Sequence, residues 1–177
     1  MDDLVLQAMA KWPNVPDCFG WLGLDARGDW YMRDESAQAA GSFAQSKGSR
    51  LQHEKLIAFI ERNYAADHAG RWYFQNGPQR VFVELEVAPW VWRIQPDGSI
   101  QSHSGQSARL QRSWVDELGR LFLETELGFG LVHTQDVQLA VDPIEQGLWV
   151  PQELLSEELE LKFGFVVSPQ KMQMEQT

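Results

Sequence analysis

One short pattern recurs along this chain and restricts what it can fold into. Asp25-Ala-Arg-Gly28 leads into Asp29-Trp30-Tyr31-Met32, Asp67-His-Ala-Gly70 into Arg71-Trp72-Tyr73-Phe74, and Asp116-Glu-Leu-Gly119 into Arg120-Leu121-Phe122-Leu123. Gln95-Pro96-Asp97-Gly98 is a variant. Asp at the first and Gly at the fourth position suit a type I turn. The carboxylate caps backbone donors, and glycine accepts the left-handed conformation that returns the chain to the ladder. Three corners carry strand-like residues on both sides and predict hairpins: Phe19–Leu24 with Trp30–Arg33, Trp90–Ile94 with Ser99–His103, and Ser113–Val115 with Arg120–Glu124. The shared pattern is too short to establish a duplication, but it predicts a β-rich meander.

Helical spacing is clearest over 52–64, where Leu56, Phe59, Ile60 and Tyr64 recur on one face, with Ser49 and Gln52 as a capping box. A second helix is expected near Pro151–Glu160. Residues 35–49, small and polar, read as a mobile loop, and the chain from 169 reads as a polar tail.

In "GRWYFQNGPQRVFVELE" (70–86), Asn76-Gly77 marks a hairpin tip. Val81, Val83, Leu85 and Val87 then alternate with Arg80, Phe82, Glu84 and Glu86, which fixes the register. In Trp90-Val91-Trp92 the two indoles share a face.

The fold class expected is α+β: antiparallel hairpins packed on one principal helix, as two interlocked β-rich units. Their expected limits are 1–105 (hairpin–helix–hairpin), 106–168 (acidic and β-rich) and 169–177 (tail). With 177 residues, 44% of them hydrophobic, the chain can bury a core without staples. A single cysteine, Cys18, allows no intrachain disulfide and no multi-cysteine zinc site. The opening MDDLVLQAMAKWP resembles neither a secretory signal nor a membrane span, so a cytoplasmic protein is expected.

The net charge is −10, and residues 116–160 account for all of it, with eleven acids against Arg120. No basic run offers a phosphate footprint, which argues against nucleic acid as a partner. Asp136, Asp142 and Glu145 lack the spacing of a calcium loop and read as a solvated acidic face. No metal and no cofactor are expected.

His53, His68, His103 and His133 show no metal-ligand spacing. His103 lies in "QSHSGQS", where Ser102 or Ser104 has no nucleophile elbow around it. Gly128 and Gly130 form an incomplete G-x-G without a following helix. The richest polar cluster is Arg71, Gln75, Asn76, Gln79 and Arg80 at the hairpin tip, where two guanidinium forks suit an anion or carboxylate.

The stretches "PNVPDCFGWLGLDARGDW", "LIAFIERNYAADHAGRWYFQNGPQRVFVELEVAPWVWRI" and "WVDELGRLFLETELGFGLVHTQD" resemble a family of small proteobacterial proteins, a domain of unknown function. The resemblance runs from about Trp12 to Trp149. The order of parts is also similar to a second bacterial family of unknown function, whose strand ends in a "V-E-D-A-P-F" style. Here Val87-Ala88 replaces its acidic pair. The resemblance implies a small intracellular α+β protein and transfers no catalytic residue.

Three functions are therefore expected in order: a non-enzymatic binding or protein-interaction module, with a homodimer in view; a small-molecule or anion sensor using the Arg71/Arg80 tip; and a small hydrolase-like enzyme pairing His103 or His133 with a carboxylate.

Overall fold

The computed structural model describes residues 1–177. Helix α1 (Asp3–Lys11) opens the chain, followed by strands β1 (Cys18–Leu24) and β2 (Trp30–Met32). Helix α2 (Glu35–Ala39), strand β3 (Ser49–Arg50) and helix α3 (Glu54–Arg62) come next. The first meander consists of β4 (Tyr64–Ala66), β5 (Trp72–Asn76) and β6 (Gln79–Leu85). Then come β7 (Trp90–Ile94), β8 (Ile100–Ser102) and β9 (Ser107–Ala108). A second meander consists of β10 (Leu110–Asp116), β11 (Leu121–Thr125) and β12 (Gly128–Val132). The chain closes with α4 (Val141–Glu145), β13 (Gln152–Leu154), α5 (Leu159–Phe163) and α6 (Pro169–Glu175). The fold is α+β, as the hairpin pattern predicts. No helix is long and apolar enough to cross a membrane.

The chain forms two compact units. One comprises 1–25, 29–86 and 165–177; the other comprises 26–28 and 87–164. This differs from the expected division near residue 106. The β7–β8 hairpin belongs to the second unit, because Trp90, Val91 and Trp92 pair in parallel with Gly130, Leu131 and Val132 of β12.

The sheet order shows the repeat that the corners alone do not establish. The first unit's sheet runs β3-β2-β1-β6-β5-β4, and the second unit's runs β9-β8-β7-β12-β11-β10, with β13 added at the end. In each, the last strand of the meander lies parallel to the first strand of the opening hairpin. The register repeats as well. Leu24↔Trp30 corresponds to Ile94↔Ile100, 70 positions on. Asn76↔Gln79 corresponds to Thr125↔Gly128, 49 positions on. The shorter second offset arises because α2 and α3 precede the first meander, whereas the second unit passes directly from β9 to β10.

The corners explain why both meanders form. Asp67 Oδ1 accepts the Arg71 N–H (3.0 Å) and its Oδ2 the Arg71 Nε–H (2.8 Å). Asp116 and Arg120 repeat this at 2.8 and 2.7 Å. Gly70 and Gly119, at φ +78° and +76°, take the conformation that closes each turn.

In the first unit, Leu22, Leu24, Trp30, Phe74, Val83 and Leu85 are buried in the sheet and Ile60 is buried in α3. Phe59 meets Phe74 edge-on at 5.4 Å. The cap of α3 is His53, whose Nδ1 accepts the Leu56 N–H (3.3 Å). Ser49, the expected cap, lies in β3 instead. The alternate face of β6 is buried too: Phe82 is fully enclosed, stacked on Phe19 at 4.7 Å. Glu84 accepts the Gln170 N–H at the start of α6 (2.9 Å). Burial raises the Glu84 pKa, partly offset by hydrogen bonds from Ser168 and Gln170 and by the Arg33 charge.

Three further expectations are corrected. Residues 35–49 are not a bare loop. They begin with α2, and the buried Arg33 guanidinium donates to the carbonyls of Gly20, Gly41 and Ser46 (3.2, 2.7 and 3.0 Å). The 151–160 helix gives way to strand β13, because Gln152–Leu154 pairs in parallel with Trp114–Asp116; the helix α5 starts only at Leu159. The tail is structured: it forms α6, with Pro169 buried and the Gln170 N–H bonded to Glu84, and the residues just before it are anchored as well, with Leu85 N–H donating to Val167 O and Val166 N–H to Gly70 O, both at 2.9 Å.

In the second unit, Trp92 is fully buried and its Nε1–H donates to Leu123 O (2.9 Å). Trp90 stacks beside it at 5.8 Å, as their shared face predicts. Phe163 of α5 stacks on Phe129 at 3.7 Å.

Candidate functional site

The C-terminal end of α1 and the chain after it, residues 9–17, frame a cleft on the β5–β6 hairpin. Helix α1 is tied at its start by the Asp2 N–H to Asn63 Oδ1 (2.8 Å) and by Arg62 to the Asp2 carboxylate. Near the other end, Ala8 stands about 4.0 Å from the place where a Gly77 Cβ would be. Pro13 and Pro16 restrict the segment between α1 and β1. Gln79 Nε2 donates to Pro16 O (3.0 Å), and Arg80 grips both oxygens of Asp17 (2.9 and 2.8 Å). The resulting cleft has a volume of about 390 Å³, with Met9, Trp12 and Pro13 on one side and Tyr73, Gln75 and Arg80 on the hairpin side.

Gln75 is the unusual residue in this cleft. It is 1% exposed, its Nε2 donates to Gly77 O (2.9 Å), and its Oε1 is buried with no hydrogen-bond partner. The Gly77 carbonyl only accepts, so this bond fixes which end of the amide remains open. A buried acceptor left unmet costs about 1–3 kcal/mol.

The second unit shows the same position in a closed form. Gln75 corresponds to Glu124, whose Oε2 receives the Trp114 Nε1–H at 2.7 Å. Trp114 stands opposite Phe122; the first unit has Ala65 opposite Tyr73 at that register. Arg80 corresponds to Phe129, which is covered by Phe163. One repeat fills the position with aromatic rings, and the other leaves a cleft.

The structure brings together only part of the polar cluster expected at the tip. Gln75 and Arg80 line the cleft, and Gln79 braces its wall. Asn76 lies on a different cavity of about 230 Å³, lined almost wholly by apolar groups that include Cys18, Trp21, Met32 and Leu56. Arg71 pairs with Asp67, and its guanidinium lies 4.6 Å from the Phe82 ring centre; that of Arg80 lies 5.2 Å from the same ring. Burial raises the Asp67 pKa, but the Arg71 bonds outweigh it and hold the carboxyl below its usual range. Each guanidinium thus has its own carboxylate, and the two do not converge on a shared open position.

Trp12, Met9 and Asp17 join the site from outside the cluster. The signal for Trp12 and Asp17 is the tryptophan set beside two prolines in "KWPNVPD". Trp12 is 51% exposed, and Lys11 Nζ sits 4.5 Å over its ring.

Three of the four histidines bond to backbone groups. His53 and His133 cap their helical turns through Nδ1. His103 Nδ1 accepts the Val91 N–H (3.2 Å), and burial of the ring pushes its pKa down to about 4. Ser102 Oγ bonds Ser104 Oγ (2.8 Å) and accepts the Gln106 N–H (3.1 Å), closing its loop. Asp136 is taken up by Arg93 and the Ile94 N–H.

Residues 1–170 match the model of the DUF2944 family, described as a protein of unknown function (DUF2946). The chain belongs to this family. Two crystal structures of DUF1285 family proteins resemble this DUF2944 chain. The one from Silicibacter pomeroyi DSS-3 is 15% identical, with 80% of this chain and 84% of that chain covered at a TM-score of 0.51. The one from Shewanella baltica OS155 is also 15% identical, with 69% and 91% covered at a TM-score of 0.47. At such identity the first likeness is one of fold. No curated protein matches the chain.

Proposed function

We propose that this DUF2944 protein is a non-enzymatic, cytosolic binding module that holds a small molecule in the cleft between the end of α1 and the β5–β6 hairpin. The observation that carries this reading is the buried, unmet Oε1 of Gln75, a residue that lines a cleft of about 390 Å³. A few convergent polar groups among apolar walls are the usual make-up of a small-molecule site. The lining holds no imidazole and no thiol, and its one carboxylate, Asp17, is held bidentately by Arg80, which favours binding over acid–base chemistry. The half-buried, single Cys18 suits a reducing compartment. The anion-sensor alternative loses support, because the guanidinium groups of Arg71 and Arg80 are each neutralised.

The test is thermal unfolding of the wild type and of Trp12→Ala in a panel of small metabolites. A ligand of the cleft raises the wild-type midpoint by mass action and leaves the variant unmoved. If no compound shifts the wild type more than the variant, the reading fails.

A second reading, contact with another protein, is favoured by one observation. Trp21, Met32 and Leu56 stand exposed around the 230 Å³ apolar cavity. Sedimentation of the wild type and Trp21→Ala over a concentration series tests self-association there. A single monomer species throughout removes the homodimer.

A further inference from the structure

We propose that the cleft at Gln75 takes an uncharged, planar nitrogen heterocycle bearing an amino or amide group, with its N–H donors directed at Gln75 Oε1 and the Asp17 carboxylate. This rests on the binding reading and adds the chemical class of the ligand.

The hydrogen-bonding groups left open decide the class. Gln75 Oε1 is an acceptor, so the ligand atom that meets it must be a donor. Each Asp17 oxygen receives one bond from Arg80, and a carboxylate has about four acceptor positions in all, so Asp17 adds further acceptors at the side of the cleft. A ligand carrying two donors on one edge, as an amide or amino-substituted heterocycle does, matches this pattern.

Charge argues against an anion. Arg80 and Asp17 are the charged residues of the lining, and they cancel. An anion would have to displace Asp17 from Arg80 while facing the bare Gln75 oxygen. A neutral ligand avoids both costs and the desolvation of its own charge.

The walls decide the shape. Trp12 exposes about half its surface, and Pro13, Pro78 and Tyr73 add flat apolar or aromatic contact. Planar rings gain most from such walls, and the heterocycle's polar edge is left free for the acceptors. In the second unit the same register position is met by an indole N–H, from Trp114 to Glu124. The protein itself thus places an N–H heterocycle there.

Calorimetric titration of the full chain tests this with two sets of probes: adenine and nicotinamide as neutral donors, benzoate and inorganic phosphate as anions. The expected result is that a neutral probe binds at least tenfold more tightly than either anion. Its affinity should fall about tenfold or more in Gln75→Met, which removes the acceptor, and in Trp12→Ala, which removes a wall. Trp12 is half-exposed, so that variant keeps the test valid if Gln75→Met folds poorly. Tighter binding of benzoate or phosphate, lost in Arg80→Met and kept in Gln75→Met, would overturn the ligand class and leave the cleft as a site. Binding of neither set, or binding indifferent to both Gln75→Met and Trp12→Ala, would overturn the class and the site together.

Discussion

Gln75 on β5 and Glu124 on β11 occupy one register position in two sheets of the same strand order, and only Glu124 has a side-chain oxygen met by an indole N–H. The difference traces to the neighbouring edge of the meander, Trp114 in one unit and Ala65 in the other. A repeated architecture with one position filled and its twin open is better explained by use of the opening than by a packing fault, since a fault of about 1–3 kcal/mol is easily removed by substitution.

That comparison gives the first prediction. Ala65→Trp supplies the first unit with the indole that the second already has. It is expected to satisfy Gln75, raise the unfolding midpoint by about 2–4 °C, and abolish binding in the cleft. Scanning calorimetry with and without ligand checks both effects. A lowered midpoint with binding intact would contradict the correspondence.

Arg33 is the clamp of the segment between β2 and β3. It is 1% exposed and serves three carbonyls from Gly20, Gly41 and Ser46. Arg33→Met leaves those carbonyls short of donors and is expected to cost about 3 kcal/mol. Hydrogen exchange should then quicken over residues 34–48 before the rest of the first unit. Unchanged protection there would show that α2 holds the segment without the arginine.

His103 makes stability depend on pH. Its folded pKa, about 4, lies below the ordinary histidine value of 6.5, so between those limits the unfolded chain binds a proton that the native chain does not. Stability from this group is complete above pH 6.5 and is lost as pH falls towards 4. Protonation would also end the acceptance of the Val91 N–H by Nδ1. A depression of this size is expected to cost about 2–3 kcal/mol at acid pH. Urea unfolding from about pH 7.5 to about pH 4 should show that slope, flattened in His103→Gln. An identical slope in the variant would assign it to other groups.

The C-terminal segment is a structural part of the first unit. Phe165 is 4% exposed, and Val166 and Val167 bond to Gly70 and Leu85. Phe165→Ala is therefore expected to cost about 3–5 kcal/mol, measured by urea unfolding. A loss under about 1 kcal/mol, the scale of a surface change, would show that this segment is not part of the core.

The sequence carried the local chemistry well and the long-range pairing poorly. Asp67, Gly70 and Arg71 announce a corner because every requirement of that turn lies within five residues. The same holds for Asp116 to Arg120. The repeat of sheet order stayed hidden because it depends on the parallel pairs β1–β6 and β7–β12, whose partners lie far apart in the chain. Helix α1 left little apolar periodicity to read: Val5 is its one buried residue, and Leu4 and Leu6 are exposed. For the site, the hairpin tip named Gln75 and Arg80, but nearness in sequence assigned Arg71 to the same cluster without its in-turn partner Asp67. Trp12 and Asp17 escaped notice because their link to the hairpin is tertiary: Arg80 reaches Asp17 across 63 positions of sequence.

The most direct measurement is a nitrogen–proton correlation spectrum of the labelled full chain during titration with adenine, tracking the Trp12 indole and the Gln75 side-chain amide. Occupation of the cleft predicts that both signals move together and saturate with one binding curve, while the Trp114 indole of the closed position stays fixed. Saturable shifts confined to other residues, or no shift of the Gln75 amide at saturation, would contradict the claim that this acceptor is built for a ligand.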